Sequence, residues 1–301
     1  MARTVEDAAR LLEVITGPDP KDSYTLSSPL RHIPRYSACC KLDGLRGKRV
    51  GIARNVLDIE ADIIQHIQPA FEQAVALMSR AGATIIDHAD FTAYATWKAR
   101  LCNLVTRADF VSNAAQFFAN LEHNPQRIHS VADLRDFTRN CAAEEYPQRN
   151  VQSWDMALDQ GLSNQSPRFQ QDYQENMFLG GEGGILGALE CHNLDAVILP
   201  TVIAYEIPAL VGSPVVTVPL GAADAETPVK QVAGWNVVDQ APGVPFGISF
   251  LGKKWSEEML IEMAYAYEQM TAIRGTLDRA AKIPEWDLAR VIDTVAVSRA
   301  G

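Results

Sequence analysis

The sequence of 301 residues predicts an α/β fold, and two patterns support this prediction. Short apolar runs of strand length recur along the chain. Between them, apolar residues return every three to four positions, as on one face of a helix. The composition, with 47% hydrophobic and 21% charged residues, is that of a folded globular protein. No repeat or linker interrupts the pattern, so we expect one domain over residues 1–301.

The chain is expected to begin with a helix. Thr4, followed three residues later by Asp7, is typical of a helix N-cap, and apolar residues then follow at helical spacing. Residues 17–20, Gly-Pro-Asp-Pro, would end this helix because proline cannot continue it. The next segment, 23–47, is polar and contains prolines, which favours an extended surface connection.

A strand–helix–strand unit is predicted next. Residues 49–53 and 82–86 are apolar runs of strand length, and residues 65–81 between them show helical spacing. Because a helix joins the two strands, we expect them to be parallel. Residues 93–180 are mainly helical in pattern, and we expect them to form an insertion against the sheet.

The last third of the chain predicts more strands and a long helix. Buried strands are expected over 194–199, 215–219 and 247–251. The final long helix is expected to begin at Ser256, with apolar residues on its inner face, and residues 270–301 would form a C-terminal tail.

A glycine cluster, Gly180–Gly184, precedes a predicted helix. Such a cluster can hold phosphate, but neither GxxxxGK[ST] nor a complete GxGxxG is present. We therefore favour tight helix packing or a hinge over nucleotide binding.

Charge and composition exclude several classes of function. The net charge of −10 argues against a nucleic-acid surface, and no apolar run approaches the roughly 20 residues of a membrane span. The six histidines show no metal-binding spacing, so we predict neither a metal nor a cofactor. The five cysteines are odd in number and form no CxxC, which favours reduced thiols and a cytoplasmic protein.

The most informative part of the sequence lies between residues 194 and 269. Its motifs are Leu194-Asp-Ala-Val-Ile-Leu-Pro-Thr201, Gly212-Ser-Pro-Val-Val-Thr-Val-Pro-Leu-Gly221, Pro245-Phe-Gly-Ile-Ser-Phe-Leu-Gly252 and Trp255-Ser256-Glu257. They resemble the C-terminal part of the amidase signature family, serine hydrolases that cut amide bonds with a Ser–cis-Ser–Lys triad. Residues 129–134 and 144–147 are similar to stretches of fungal-type general amidases.

This resemblance implies a mixed sheet flanked by helices, with the N-terminal portion of the family's fold missing. Residues 1–9 look like a segment that lies downstream of all three catalytic residues in such enzymes. The chain would then be a single incomplete domain of this family. A full-length relative would hydrolyse a small-molecule carboxylic amide through an acyl-serine intermediate, without a metal or cofactor.

No catalytic residue can be assigned within the chain itself. Amide hydrolysis needs a nucleophile, a base that takes its proton and donors for the oxyanion. No serine is followed by lysine three positions later, and no Gly-x-Ser-x-Gly is present. Ser213 comes closest, but the resemblance makes it a turn residue before a core strand. We therefore expect the chain to be inactive alone.

Substrate contacts are expected after the strand that ends at Pro200. Ligands of open α/β sheets bind beyond the carboxyl ends of strands, which makes Thr201, Ile203 and Tyr205 candidates. Trp235, in a Gly-Trp-Asn loop, is a further candidate. The alternative is a plain strand exit with a packed tyrosine.

Three explanations of the chain stay open. It is a fragment of a longer enzyme that begins at an internal methionine, or a stable non-catalytic protein that binds a partner. The third explanation is a subunit completed by a triad-bearing polypeptide, as in an amidotransferase-like assembly. If family strands are missing, an open sheet edge near residues 215–218 would allow self-association.

Overall fold

The computed structural model describes residues 1–100, 103–232 and 237–277. Its strands are β1 (Arg49–Ile52), β2 (Thr84–Ile86), β3 (Ala196–Pro200), β4 (Val215–Ala222), β5 (Lys230–Gln231), β6 (Val238–Gln240) and β7 (Pro245–Leu251).

Five of these strands form one sheet in the order β2-β1-β3-β7-β4. Strand β1 pairs in parallel with β2 and β3, whereas β7 pairs antiparallel with β3 and β4. The predicted parallel pair and the mixed sheet are both confirmed. The small β5–β6 pair is separate from this sheet.

Helices surround the sheet. They are α1 (Val5–Ile15), α2 (Ser23–Leu26), α3 (Arg54–Ile59), α4 (Ala61–Ile64), α5 (Gln68–Arg80), α6 (Tyr94–Lys98), α7 (Leu104–Ala119), α8 (Val131–Asn140), α9 (Gln152–Asp159), α10 (Pro167–Gly180), α11 (Leu186–Cys191), α12 (Thr201–Ala204), α13 (Glu206–Val211) and α14 (Glu257–Thr271). Helix α14 packs on β4 and β7, while α12 packs on β3 and β7. The predicted inner face of α14 is confirmed, since Leu260, Met263, Ala264 and Tyr267 are buried.

The N-terminal half of the chain differs from the prediction in detail. Thr4 caps α1 as expected, because its Oγ1 accepts a hydrogen bond from the Asp7 N–H at 3.0 Å.

The prediction that residues 23–47 form an extended connection is wrong in part. The Asp22 side chain accepts from the Tyr24 N–H and starts the short α2, and a 3₁₀ turn covers Tyr36–Cys39. Helix α5 starts three residues late, at Gln68, with a proline in its first turn.

The glycine cluster joins α10 to α11 through a π-helical turn, Gly181–Ile185. Close packing explains its glycines. A Cβ on Gly180 would lie 2.7 Å from Cβ of Leu210 on α13, and one on Gly184 would overlap the Leu179 carbonyl. This geometry supports the helix-packing interpretation of the cluster.

Helices α6–α10 fall within the predicted helical segment 93–180, between β2 and β3 in the chain. Val105, Ala108 and Phe169 form a small apolar cluster of their own there. The predicted boundaries at 93, 180 and 270 stay predictions, and residues 278–301 of the predicted tail lie outside the described residues.

Candidate functional site

The end of β3 places Thr201 at the sheet. All five residues of β3 are buried, and the chain passes from Pro200 directly into α12, whose first residue is Thr201. Thr201 therefore lies at the carboxyl end of a central strand, where α/β sheets bind ligands.

Three hydroxyl groups meet at this point. Oγ1 of Thr201 lies 2.9 Å from Oγ of Ser249 on β7, and Oγ1 of Thr217 on β4 lies 2.7 Å from the same atom. We call Thr201, Thr217 and Ser249 the hydroxyl cluster. Ser249 is fully buried, so both hydrogen bonds fix its side chain. A Cβ on the neighbouring Gly247 would lie 2.7 Å from Oγ1 of Thr201, so the backbone of β7 approaches this hydroxyl closely.

A cavity of about 800 Å³ borders the hydroxyl cluster and follows β4, which is an edge of the described sheet. We call this cavity the strand groove. Its walls include Thr201, Val202 and Phe246, together with residues 215–219 and the start of α1. The ring of His66 meets Phe246 edge-on, with centroids 5.8 Å apart. Burial lowers the pKa of His66, and nearby Lys230 lowers it further. The groove is mainly apolar, and Thr201 and Thr217 contribute hydroxyl groups to its wall.

The other predicted site residues lie elsewhere. Tyr205 is 61% exposed and lines a second cavity of about 670 Å³. Ile203 is 6% exposed and packs in the core, so it lines neither cavity. Trp235 lies outside the described residues. The structure thus places Thr201 and Tyr205 at two different cavities.

Ser213 follows the αL residue that ends α13. Gly212 has φ of +67°, which favours glycine, and the Ser213 N–H donates to the Pro208 carbonyl at 3.0 Å. Among the described residues, the buried Oγ of Ser213 has no hydrogen-bond partner. A nucleophilic serine would need a hydrogen bond to its base, so this geometry is in line with the interpretation of Ser213 as a turn residue.

A buried polar network was not found from the sequence. Glu60 is 5% exposed, accepts a 2.7 Å hydrogen bond from Oη of Tyr94, and lies 2.8 Å from Nζ of Lys98. Burial raises the pKa of Tyr94, and the bond to Glu60 raises it further. Glu206 extends the network, since it accepts from Nε1 of Trp97 at 2.8 Å and lies 3.8 Å from Lys98.

No cluster of three or more His, Cys, Asp or Glu side chains suited to a metal ion occurs among the described residues. Within the same part of the chain, no helix has the length and hydropathy needed to cross a membrane.

Comparison with known proteins identifies relatives of this chain. A family model described as Amidase matches residues 1–261. A protein of Arthroderma benhamiae named as an amidase is 45% identical over 280 residues, covering 93% of this chain and 47% of that protein. A glutamyl-tRNA(Gln) amidotransferase subunit of Acinetobacter baumannii ATCC 17978 is 26% identical over 292 residues, covering 90% of this chain and 54% of that subunit.

Among solved structures, the native peptide amidase from Stenotrophomonas maltophilia is similar, with a TM-score of 0.75 and 30% identity. The similarity covers 93% of this chain and 54% of that enzyme. The chain spans about half the length of the relatives that it matches.

Proposed function

Because this chain belongs to the amidase signature family, we propose that it supplies the amide-binding groove of an enzyme that hydrolyses a carboxylic amide through an acyl-serine intermediate. The observation that carries this proposal is the end of β3, where Thr201 and Thr217 of the hydroxyl cluster line the strand groove. Apolar walls suit the carbon skeleton of an amide. A hydroxyl group can donate to its carbonyl oxygen or accept from its N–H.

The catalytic groups are not among these 301 residues in our proposal. The sequence contains neither Ser-x-x-Lys nor Gly-x-Ser-x-Gly. The buried hydroxyl of Ser213 also lacks a partner among the described residues. Acyl transfer without an activated nucleophile and oxyanion donors loses most of its rate enhancement. The isolated chain is therefore expected to bind amides without hydrolysing them.

A second candidate is a component of an amidotransferase-like assembly, in which a partner carries the triad. Its support is the 26% identity to the amidotransferase polypeptide of Acinetobacter baumannii over 90% of this chain. A non-catalytic binding protein would share the groove but would need no such partner.

The open edge at β4 supports a proposal of self-association. Val215 on this strand is 37% exposed, and unpaired edge strands are templates for pairing with another chain. We also retain the cytoplasmic prediction, which the free thiols of Cys39, Cys40, Cys141 and Cys191 support.

Activity is tested on the purified 301-residue chain with p-nitroacetanilide and p-nitrophenyl acetate. We expect no turnover above buffer. Turnover that the Ser213→Ala variant abolishes would show that the chain carries its own nucleophile, against the proposal.

Binding is tested with benzamide, a neutral carboxamide, by saturation-transfer NMR. Thr201→Val removes a hydroxyl from the groove and should weaken the benzamide signal. Thr84→Val removes an exposed hydroxyl from β2, the strand at the opposite edge of the sheet from β4. This variant should leave the benzamide signal unchanged. If both variants give the same benzamide signal and their melting temperatures are unchanged, benzamide does not bind at Thr201, and the strand groove is not the amide-binding site.

A further inference from the structure

The second cavity, which we call the aromatic cleft, lies between two parts of the fold. Helices α6, α7 and α10 form one wall, and α13 with the start of α14 forms the other. Its volume of about 670 Å³ is in the range of small-molecule sites. It shares no lining residue with the strand groove, so its ligand is a separate question from amide binding.

Five aromatic side chains belong to the lining of this cleft. Tyr24, Trp97, Tyr173, Tyr205 and Trp255 all line it. Tyr24 and Tyr205 are 79% and 61% exposed, so their faces are available to a ligand. Trp255 lies in the turn before α14 with φ of +66°, and it is 42% exposed.

Negative charge is concentrated among the same walls. Asp109, Glu206 and Glu257 line the cleft, whereas Lys254 is the single cationic side chain among its described lining residues. Nζ of Lys98 lies 3.8 Å from the Glu206 carboxylate but 2.8 Å from that of Glu60. The charge of Lys98 is therefore paired mainly with Glu60 in the buried network.

Arg100 also contacts the lining, since it donates to Asn176 and lies 5.9 Å over the Trp97 ring. Its guanidinium, however, is paired with Glu175 outside the lining. The carboxylates that line the cleft therefore outnumber its unpaired cations, which favours a cationic over an anionic ligand.

Of the three carboxylates that line the cleft, Glu257 has the fewest polar contacts to stabilise its negative charge. Asp109 accepts a hydrogen bond from Asn164, and Glu206 accepts one from Trp97. Among the described residues, no other side chain forms a hydrogen bond or ion pair with Glu257, whose only hydrogen bond comes from its own backbone. Burial raises the pKa of Glu257, a hydrogen bond from its own backbone lowers it, and the adjacent Glu258 carboxylate raises it again. A cation beside Glu257 would offset the two raising effects.

We propose that the aromatic cleft binds an organic cation, a substituted ammonium compound with an aromatic or alkyl body. Its ammonium group lies against Glu257 and the face of Trp255, where ion pairing and cation–π attraction act together. Its apolar body packs against the exposed rings of Tyr24 and Tyr205. A neutral ligand of the same shape gains only the packing contacts.

The probe is benzylamine, compared with the neutral benzyl alcohol, and binding is measured by calorimetry on the full chain. We expect benzylamine to bind more tightly by about fivefold or more, a factor typical of one partly exposed cation–π contact or ion pair. Equal affinity of the two compounds, or no binding of benzylamine, would overturn the proposal.

A matched pair of variants locates the site. Glu257→Gln should weaken benzylamine binding by about fivefold, whereas Glu258→Gln should change it less than about twofold. Glu258 is the next residue of the same helix turn, its carboxylate contacts Cys39, and it does not line the cleft. Both changes remove one negative charge near the start of α14, so effects on helix stability and long-range charge cancel in the comparison. Equal weakening by the two variants would contradict the assignment to the cleft.

Two further variants test the proposed pose and separate the aromatic cleft from the strand groove. Tyr205→Ala should weaken both benzylamine and benzyl alcohol, because both would use its ring, and an unchanged affinity for both would contradict the proposed pose. Thr201→Val, which alters the strand groove, should leave benzylamine binding unchanged, and weakening by this variant would place the cation in the groove instead.

Discussion

Replacing Tyr94 with phenylalanine is expected to cost about 2 kcal/mol of unfolding free energy. Tyr94 is 1% exposed, and its hydroxyl donates a 2.7 Å hydrogen bond to the buried Glu60. Hydrogen bonds to charged groups contribute about 1.5–3 kcal/mol, and phenylalanine keeps the packing of the ring. Lys98 remains 2.8 Å from the same carboxylate oxygen. The loss should therefore stay below the roughly 3–5 kcal/mol of a buried charge left without its ionic partner.

The chain offers a matched control for this change. Tyr267 is also 1% exposed, but its hydroxyl has no hydrogen-bond partner among the described residues. Tyr267→Phe should therefore alter stability by less than about 0.5 kcal/mol. Urea unfolding followed by tryptophan fluorescence measures both variants under one set of conditions. Equal losses in the two variants would refute the reasoning, because the cost would then come from the ring environment rather than from the bond to Glu60.

Three further predictions concern pH, packing and association. Burial raises the pKa of Tyr267 to about 12, above its ordinary value of 10.0. The neutral Tyr267 side chain therefore contributes its full stability below pH 10, and this contribution is lost as the pH rises towards 12. Tyr267→Phe should flatten that part of the stability–pH curve in urea unfolding, and an unchanged slope would contradict the shift. Gly180→Ala should cost about 1–3 kcal/mol because its Cβ would lie 2.7 Å from Cβ of Leu210, whereas Gly275→Ala, with nothing within 4 Å, should be nearly neutral in the same measurement. Size-exclusion chromatography with light scattering should show that the native chain forms oligomers. Val215→Lys places a charge on the β4 edge and should convert these oligomers to monomers. A native chain that is already monomeric would rule out the edge-pairing proposal.

Local patterns predicted much of the fold. The apolar run at 194–199 predicted β3 within two residues, and the helical spacing after Ser256 predicted the buried face of α14. Such signals depend on neighbours within one strand or one helix turn, which the sequence displays directly. The mixed order of the sheet came from the family resemblance, because strand pairing across the chain leaves no comparable local pattern.

The sites depend on contacts that no local pattern contains. The hydroxyl cluster joins residues from α12, β4 and β7, and the Glu60 network joins side chains 34 residues apart. Thr201 and Tyr205 were expected to border one site, because both follow the carboxyl end of the same predicted strand. Pro208 lacks the N–H that a continuous helix would donate to Ala204, and the chain instead forms the two short helices α12 and α13. This break directs Thr201 and Tyr205 to different cavities.

The position of β1 in the sheet has a consequence for synthesis of the chain. Arg49 at the start of β1 donates its N–H to the carboxylate of Asp195, which lies 146 residues later, just before β3. At about 5–20 residues per second, the ribosome would need roughly 7–30 s to deliver that partner after β1 has emerged. During this interval β1 can pair only with β2, and its other edge stays open to other nascent chains. Co-translational protection of this edge, by a chaperone or by the helices that emerge before β3, would then determine how much of the protein reaches the folded state.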